Sequence, residues 1–231
     1  MKNKHNNTRK NSLVNQHSQV SFLLKRTIIT LIATLAINTK TQAIKGTGLS
    51  SQIGIRFPIH NKISGLITEE TRFASDFSTI NWFFTNSELT YRPIPALTLQ
   101  AAYTYITNKQ INRHRYYAIA MWGWKLGNTT LDLRGRFQST HTIGTKKPID
   151  CMRFRLRYSV PYKNFKFFAF AEPYNDTRNN YALTKVRYTG GFDYSLTNNH
   201  TIQFQYRHHD FHAVDLHNYQ HAFITRYTYS F

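Results

Sequence analysis

The chain has 231 residues, with 30 Lys and Arg against 11 Asp and Glu, a formal charge of +19. Such a balance suits nucleic acid, an anionic membrane surface or an anion-lined pore. Aromatic residues make up 15% and strong helix formers are sparse, which favours an all-β fold. Cys151 is the sole cysteine, so an intrachain disulfide, a thiolate zinc site and acylation of a Cys after the leader are excluded.

Residues 1–43 read as an export signal. Seven cationic residues and no acid lie there, and their removal leaves the rest at +12. Lys25-Arg26 precede the apolar run Thr27-Ile28-Ile29-Thr30-Leu31-Ile32-Ala33-Thr34-Leu35-Ala36-Ile37, and Thr41-Gln42-Ala43 supplies small residues for cleavage after about Ala43. The run is shorter than the ~20 residues of a membrane-spanning helix. Residues 44–231 are then one domain.

That domain is a train of alternating segments, the signature of half-exposed strands. They cover 50–59, 62–75, 80–92, 97–107, 113–126, 129–139, 151–160, 164–174, 181–196, 200–211 and 219–231. The clearest are 129–139, where Leu131, Leu133 and Phe137 alternate with Asp132, Arg134, Arg136 and Gln138, and 151–160, where Met152, Phe154, Leu156 and Tyr158 alternate with Arg153, Arg155, Arg157 and Ser159. Short connections rich in Gly, Pro and Asn fall at 60–62, 93–95, 127–128, 162–164 and 197–199, and longer polar ones between them. Transmembrane β-barrels alternate short periplasmic turns with longer outer loops in this way.

The expected fold is an antiparallel up-and-down transmembrane β-barrel after a signal-peptide helix. Eleven segments are legible, but bacterial barrels usually have an even count, so twelve strands are expected, with ten as the alternative. In a membrane barrel the apolar parity faces lipid. Trp122, Trp124, Tyr194, Tyr227, Tyr229 and Phe231 all fall near the tight-turn end, as in an interfacial girdle. The polar parity then builds a lumen charge network of Glu70, Arg72, Glu88, Arg92, Asp132, Arg134, Arg136, Arg153, Arg155, Arg157, Glu172, Lys185, Arg187, Asp193 and Arg226. Its bland reading is salt bridges bracing a filled interior; its sharper reading is a basic lumen favouring anions.

Several stretches resemble the DUF2490 family of Bacteroidota outer-membrane proteins: Thr68-Glu69-Glu70-Thr71-Arg72-Phe73, Leu131-Asp132-Leu133-Arg134-Gly135-Arg136-Phe137, Arg153-Phe154-Arg155-Leu156-Arg157-Tyr158 and Ala171-Glu172-Pro173-Tyr174-Asn175. The resemblance implies a fold and a location but no reaction. The terminal Tyr227-Thr228-Tyr229-Ser230-Phe231 resembles the aromatic signal recognised by the β-barrel assembly machinery. The expected partners are that machinery and outer-membrane lipid, with a monomeric barrel and no nucleic acid, which export argues against.

Two enzymatic alternatives arise. His208, His209, Asp210, His212, His217 and His221 crowd the last hairpin, where a rim hydrolase or metal site would sit, yet His208 and His209 point to opposite faces of one strand. Ser139 and His141 form a nucleophile-base pair on paper only. With no P-loop, dinucleotide turn or paired-Cys site, no cofactor, metal or catalytic residue is assigned. A soluble periplasmic ligand-binding barrel is the structural alternative. In fractionated cells the protein should appear in the outer membrane with heat-modifiable gel mobility; recovery in the soluble fraction with a single mobility would contradict the membrane reading.

Overall fold

A computed structural model describes residues 47–73, 80–177, 180–211 and 220–231; the expected signal at 1–43 lies outside them. The alternating segments form eleven strands: β1 (Thr47–His60), β2 (Ile63–Phe73), β3 (Ile80–Ile94), β4 (Leu97–Thr107), β5 (Asn112–Leu126), β6 (Thr129–Thr142), β7 (Ile149–Tyr162), β8 (Phe165–Asp176), β9 (Ala182–Ser195), β10 (His200–Phe211) and β11 (Gln220–Ser230). Each pairs with its chain neighbour, and β1 meets β11 to close the barrel. Tight turns alternate with longer loops as the sequence predicts, and Gly127 takes the left-handed φ of 61° that the two-residue β5–β6 turn requires.

The strand count corrects the expected twelve, and its ten-strand alternative, to eleven among the described residues. Ten antiparallel pairings leave an odd chain of strands whose two ends run the same way. The barrel therefore closes through a parallel ladder, with Thr47 opposite His221, Gln52 opposite Arg226 and Arg56 opposite Ser230. The first segment does join the wall, and it begins at Thr47 rather than at residue 50. Parallel pairing is slightly weaker per residue than antiparallel pairing. Side chains and backbone reinforce this seam: Arg226 Nε donates to Gln52 Oε1 at 2.5 Å, and the Phe231 N–H donates to the Arg56 carbonyl at 3.0 Å.

The side-chain distribution is inverted relative to a soluble protein. Ile53, Leu156 and Phe223 are 61%, 52% and 51% exposed on the outer wall, whereas Glu172 inside is 1% exposed. Period-two alternation places one parity on each side of the wall, and the outer apolar, inner polar pattern is that of a transmembrane barrel. Aromatic residues mark both ends of the outer wall. At the tight-turn end His200 Nδ1 and the Tyr227 hydroxyl lie 2.6 Å apart, and the rings of Tyr229 and Phe231 meet edge-on at 4.7 Å. At the loop end, Tyr103 bonds His114 at 2.7 Å and Tyr206 bonds His221 at 2.5 Å. This second girdle is additional to the one read from the sequence. A carboxylate also stands on the outer wall: Glu69 accepts a hydrogen bond from Thr85 Oγ1 at 2.9 Å.

The seam register is directly testable in a Cys151→Ser background. Cysteines at Ser51 and Thr225 should cross-link, and so should cysteines at Ile55 and Tyr229, because both pairs face each other across the parallel ladder. An antiparallel seam could satisfy at most one pair, so a link at one and none at the other would contradict the closure.

Candidate functional site: an arginine-lined lumen

Arginines on the inner parity of β6 and β7 meet head-on. Arg134 lies opposite Arg155 and Arg136 opposite Arg153, an arrangement that like-charge repulsion makes unfavourable unless the side chains diverge. They do diverge, because each guanidinium reaches along or across the wall to a different partner. Glu172 on β8 is the hub. It accepts hydrogen bonds from Arg153 at 2.7 Å and Arg187 at 3.2 Å, and from Arg134. Three strands are thereby tied to one carboxylate, the Arg187 link running directly across the β8–β9 ladder.

The other arginines find separate partners. Arg155 donates to Asp132 at 3.0 Å. Arg157 pairs with Asp193 at 3.6 Å, whose carboxylate also accepts from Gln203. The Arg136 guanidinium lies 4.0 Å from the Tyr117 ring centroid. On the far wall, Glu70 holds Arg72 at 2.5 Å and accepts from Ser50 at 2.9 Å, while Glu88 accepts from Gln100 at 2.9 Å and Thr90 at 3.1 Å. Inward aromatic rings carry further cations. Tyr174 faces Arg153 at 4.1 Å, Lys185 at 4.5 Å and Arg187 at 4.9 Å, and Phe168 faces Arg157 at 4.2 Å. Each such contact contributes on the order of 1 kcal/mol where water is partly excluded.

Of the fifteen expected network residues, fourteen take part in these inward contacts, Arg226 through Gln52 at the seam. Arg92 does not: it is exposed near the tight turns, its backbone N–H donating to Lys62 O at 2.8 Å. Chain parity flips at the irregularity between Tyr91 and Ile94, which explains the displacement. The sequence reading left out Arg115 and Arg207, which line the lumen. Both share the polar parity of their strands, so the signal was present in the alternation. Tyr117 and Tyr174 also line the lumen, inward aromatic residues that a network expected from charge alone does not include.

The interior holds two spaces that share lining residues. A vestibule of about 680 Å³ at the loop end is lined by residues including Asn81, Trp82, Lys185 and His209. Beside it a gap of about 280 Å³ lies between the arginine wall of β6, β7 and β9 and a far wall where Glu70 and Glu88 stand among Thr68, Asn86, Gln100 and Thr104. A guanidinium offers planar pairs of N–H donors suited to carboxylate and phosphate oxygens. The site can therefore attract and orient small oxyanions.

The histidine-rich hairpin divides as its parity predicts. His209 is buried on the lumen side, whereas His208 and His221 face outward with ring centroids 4.9 Å apart. His212 and His217 lie outside the described residues. Among the described residues no cluster of three or more His, Cys, Asp or Glu could hold a metal ion. Ser139 and His141, also on the outer parity of β6, sit opposite Tyr116 and His114 and away from the lumen.

No curated protein matches the chain in sequence. Among solved structures, the porin NanC in a rhombohedral crystal form aligns with a TM-score of 0.50 at 13% identity, over 71% of this chain and 85% of its own. OmpT of Vibrio cholerae aligns at 0.38 and 10% identity, over 65% of this chain and 55% of its own. OccK5 (OpdH) of Pseudomonas aeruginosa aligns at 0.37 and 13%, over 70% and 54%. The chain spans about half the length of these last two. At such identities the likeness concerns the fold. Residues 49–219 match the family described as "Protein of unknown function (DUF2490)", and over that span, which includes all but the last of the wall, the chain belongs to DUF2490.

Proposed function

We propose that this protein is an outer-membrane barrel, exported by residues 1–43, whose narrow lumen favours small anions. The observation that carries the reading is the charge surplus inside. Eleven Arg and Lys side chains line the two lumen spaces against five carboxylates. Asp132 and Asp193 add two more through Arg155 and Arg157, and the surplus remains positive. In a low-dielectric wall such a surplus concentrates anions and repels cations. The likeness of the fold to a barrel named as a porin is in keeping with a conducting role.

The membrane location rests on the outer wall. A soluble ligand-binding barrel would leave its exposed Ile, Leu and Phe residues in water as one continuous apolar band, a surface that soluble monomers avoid. Tight turns then face the periplasm, and outward Tyr227, Tyr229 and Phe231 form the signal by which the β-barrel assembly machinery would select the chain. Lipid is the partner of the outer wall, and the barrel acts as a monomer. A rim hydrolase has less support, since His209 and His208 are divided between lumen and outer wall.

In planar bilayers the purified protein should give anion-selective currents. Arg136→Glu places a carboxylate among Arg134 and Arg153 and should lower the anion-to-cation permeability ratio by on the order of fivefold; cation selectivity in the parent protein, or no current at all, would rule the pore out. Glu172→Gln removes the charge shared by three arginines. Breaking such a buried cluster costs roughly 3–5 kcal/mol, so the temperature of the heat-modifiable gel shift should fall while anion selectivity rises. An unchanged transition temperature would show that the hub does not brace the wall.

A further inference from the structure

Five guanidiniums line both lumen spaces: Arg72, Arg115, Arg153, Arg187 and Arg207. They come from five strands, β2, β5, β7, β9 and β10, and so encircle the passage between vestibule and gap. The carboxylates are placed differently. Glu70, Glu88 and Glu172 line the gap alone, and Asp150 and Asp176 the vestibule alone. Among the described residues, the level where the two spaces join is bounded by cations with no carboxylate lining both sides.

Three of the five have an ion-pair partner. Glu70 holds Arg72, and Glu172 holds Arg153 and Arg187. Arg115 and Arg207 have no carboxylate within ion-pair distance among the described residues. Arg115 Nε donates to the neutral Thr140 Oγ1 at 3.2 Å, and Arg207 Nε is buried without a hydrogen-bond partner. Two guanidiniums without an ion-pair partner, beside a Glu172 already shared by three cations, leave this level with a cationic surplus that calls for added negative charge. A buried donor left unpaired costs about 1–3 kcal/mol, more when charged, and an incoming acceptor would recover that.

We propose that this ring is a binding site for a phosphate-type dianion, inorganic phosphate or a phosphomonoester, within the passage. A halide offers a single centre, whereas a tetrahedral oxyanion presents several acceptor oxygens to donors arriving from different strands, each guanidinium engaging two of them. The charge of a phosphate near neutral pH, between one and two, suits a ring whose cations outnumber its carboxylates. Solute entering from the vestibule thus meets a selective, saturable step rather than a uniformly basic tube. This inference deepens the pore reading and rests on it.

The test is chloride current through the full barrel in planar bilayers, with inorganic phosphate titrated in at constant ionic strength. Phosphate should depress the current saturably, and Arg115→Gln with Arg207→Gln should raise the half-inhibiting concentration about tenfold or more while a chloride current persists. Arg92→Gln, which removes an exposed charge outside the lumen, should leave inhibition unchanged. A chloride current indifferent to phosphate overturns the site and leaves the pore standing. Equal inhibition by succinate overturns the phosphate assignment, because a dicarboxylate without a tetrahedral oxyanion would then serve as well. If no current appears, the pore reading fails, and calorimetry on the detergent-solubilised barrel decides the site separately: phosphate binding abolished in the double variant upholds it, and absence of binding to the parent overturns it.

Discussion

Inside a bilayer each backbone N–H and C=O must find a protein partner, because an unpaired group there costs several kcal/mol. That constraint organises the whole molecule. It forbids an open sheet edge and forces the strands to close. With eleven strands, closure requires that one ladder be parallel, and β1 and β11 form it. Everything else follows from the wall so made. Alternate side chains face lipid or lumen, aromatic residues settle at the two ends, and the charge of the sequence is driven inside.

Concentrating charge inside creates the next problem. Two Arg–Arg pairs directly across β6 and β7 are tolerable only because the guanidiniums leave one another for Glu172, Asp132 and the ring of Tyr117. Glu172 is nearly sealed from solvent and serves three cations at once. The arrangement braces the wall, yet it does not balance the charge. Salt bridges fix part of the arginine ladder, as its first reading expects, and the remaining cations are what the proposed anion-favouring lumen rests on. Arg115 and Arg207 have no ion-pair partner among the described residues, so the bracing network stops short of them.

Most of the wall was legible in the sequence because its information is local. Alternation such as Phe154-Arg155-Leu156-Arg157 fixes a strand and its faces, and Gly127-Asn128 fixes a hairpin. The seam was not legible, since no turn joins β1 to β11 and their register depends on closing the entire sheet. An even-count expectation therefore displaced a correct tally of segments. Site membership was readable wherever parity held, as for Arg134 or Arg187, and failed at Arg92, where an irregularity beyond Tyr91 breaks parity. Tyr117 and Tyr174 show a different limit. The inward charge network read from the sequence holds charged residues alone, although the π face of an aromatic ring suits a buried guanidinium. The loop-end girdle of Tyr103, His114, Tyr206 and His221 was hidden because histidine drew attention as a catalyst.

The central claim is an aqueous, cation-lined lumen inside a lipid-facing wall. Cysteine accessibility along β10 tests it most directly, in a Cys151→Ser background and reconstituted bilayers, with a membrane-impermeant thiol reagent. Cysteines replacing Thr201, Gln203 and Gln205 should react, and those replacing Ile202, Phe204 and Tyr206 should not. The opposite alternation, or no reaction at either set, would contradict it: the first would place the apolar parity in water, and the second would mean a sealed interior.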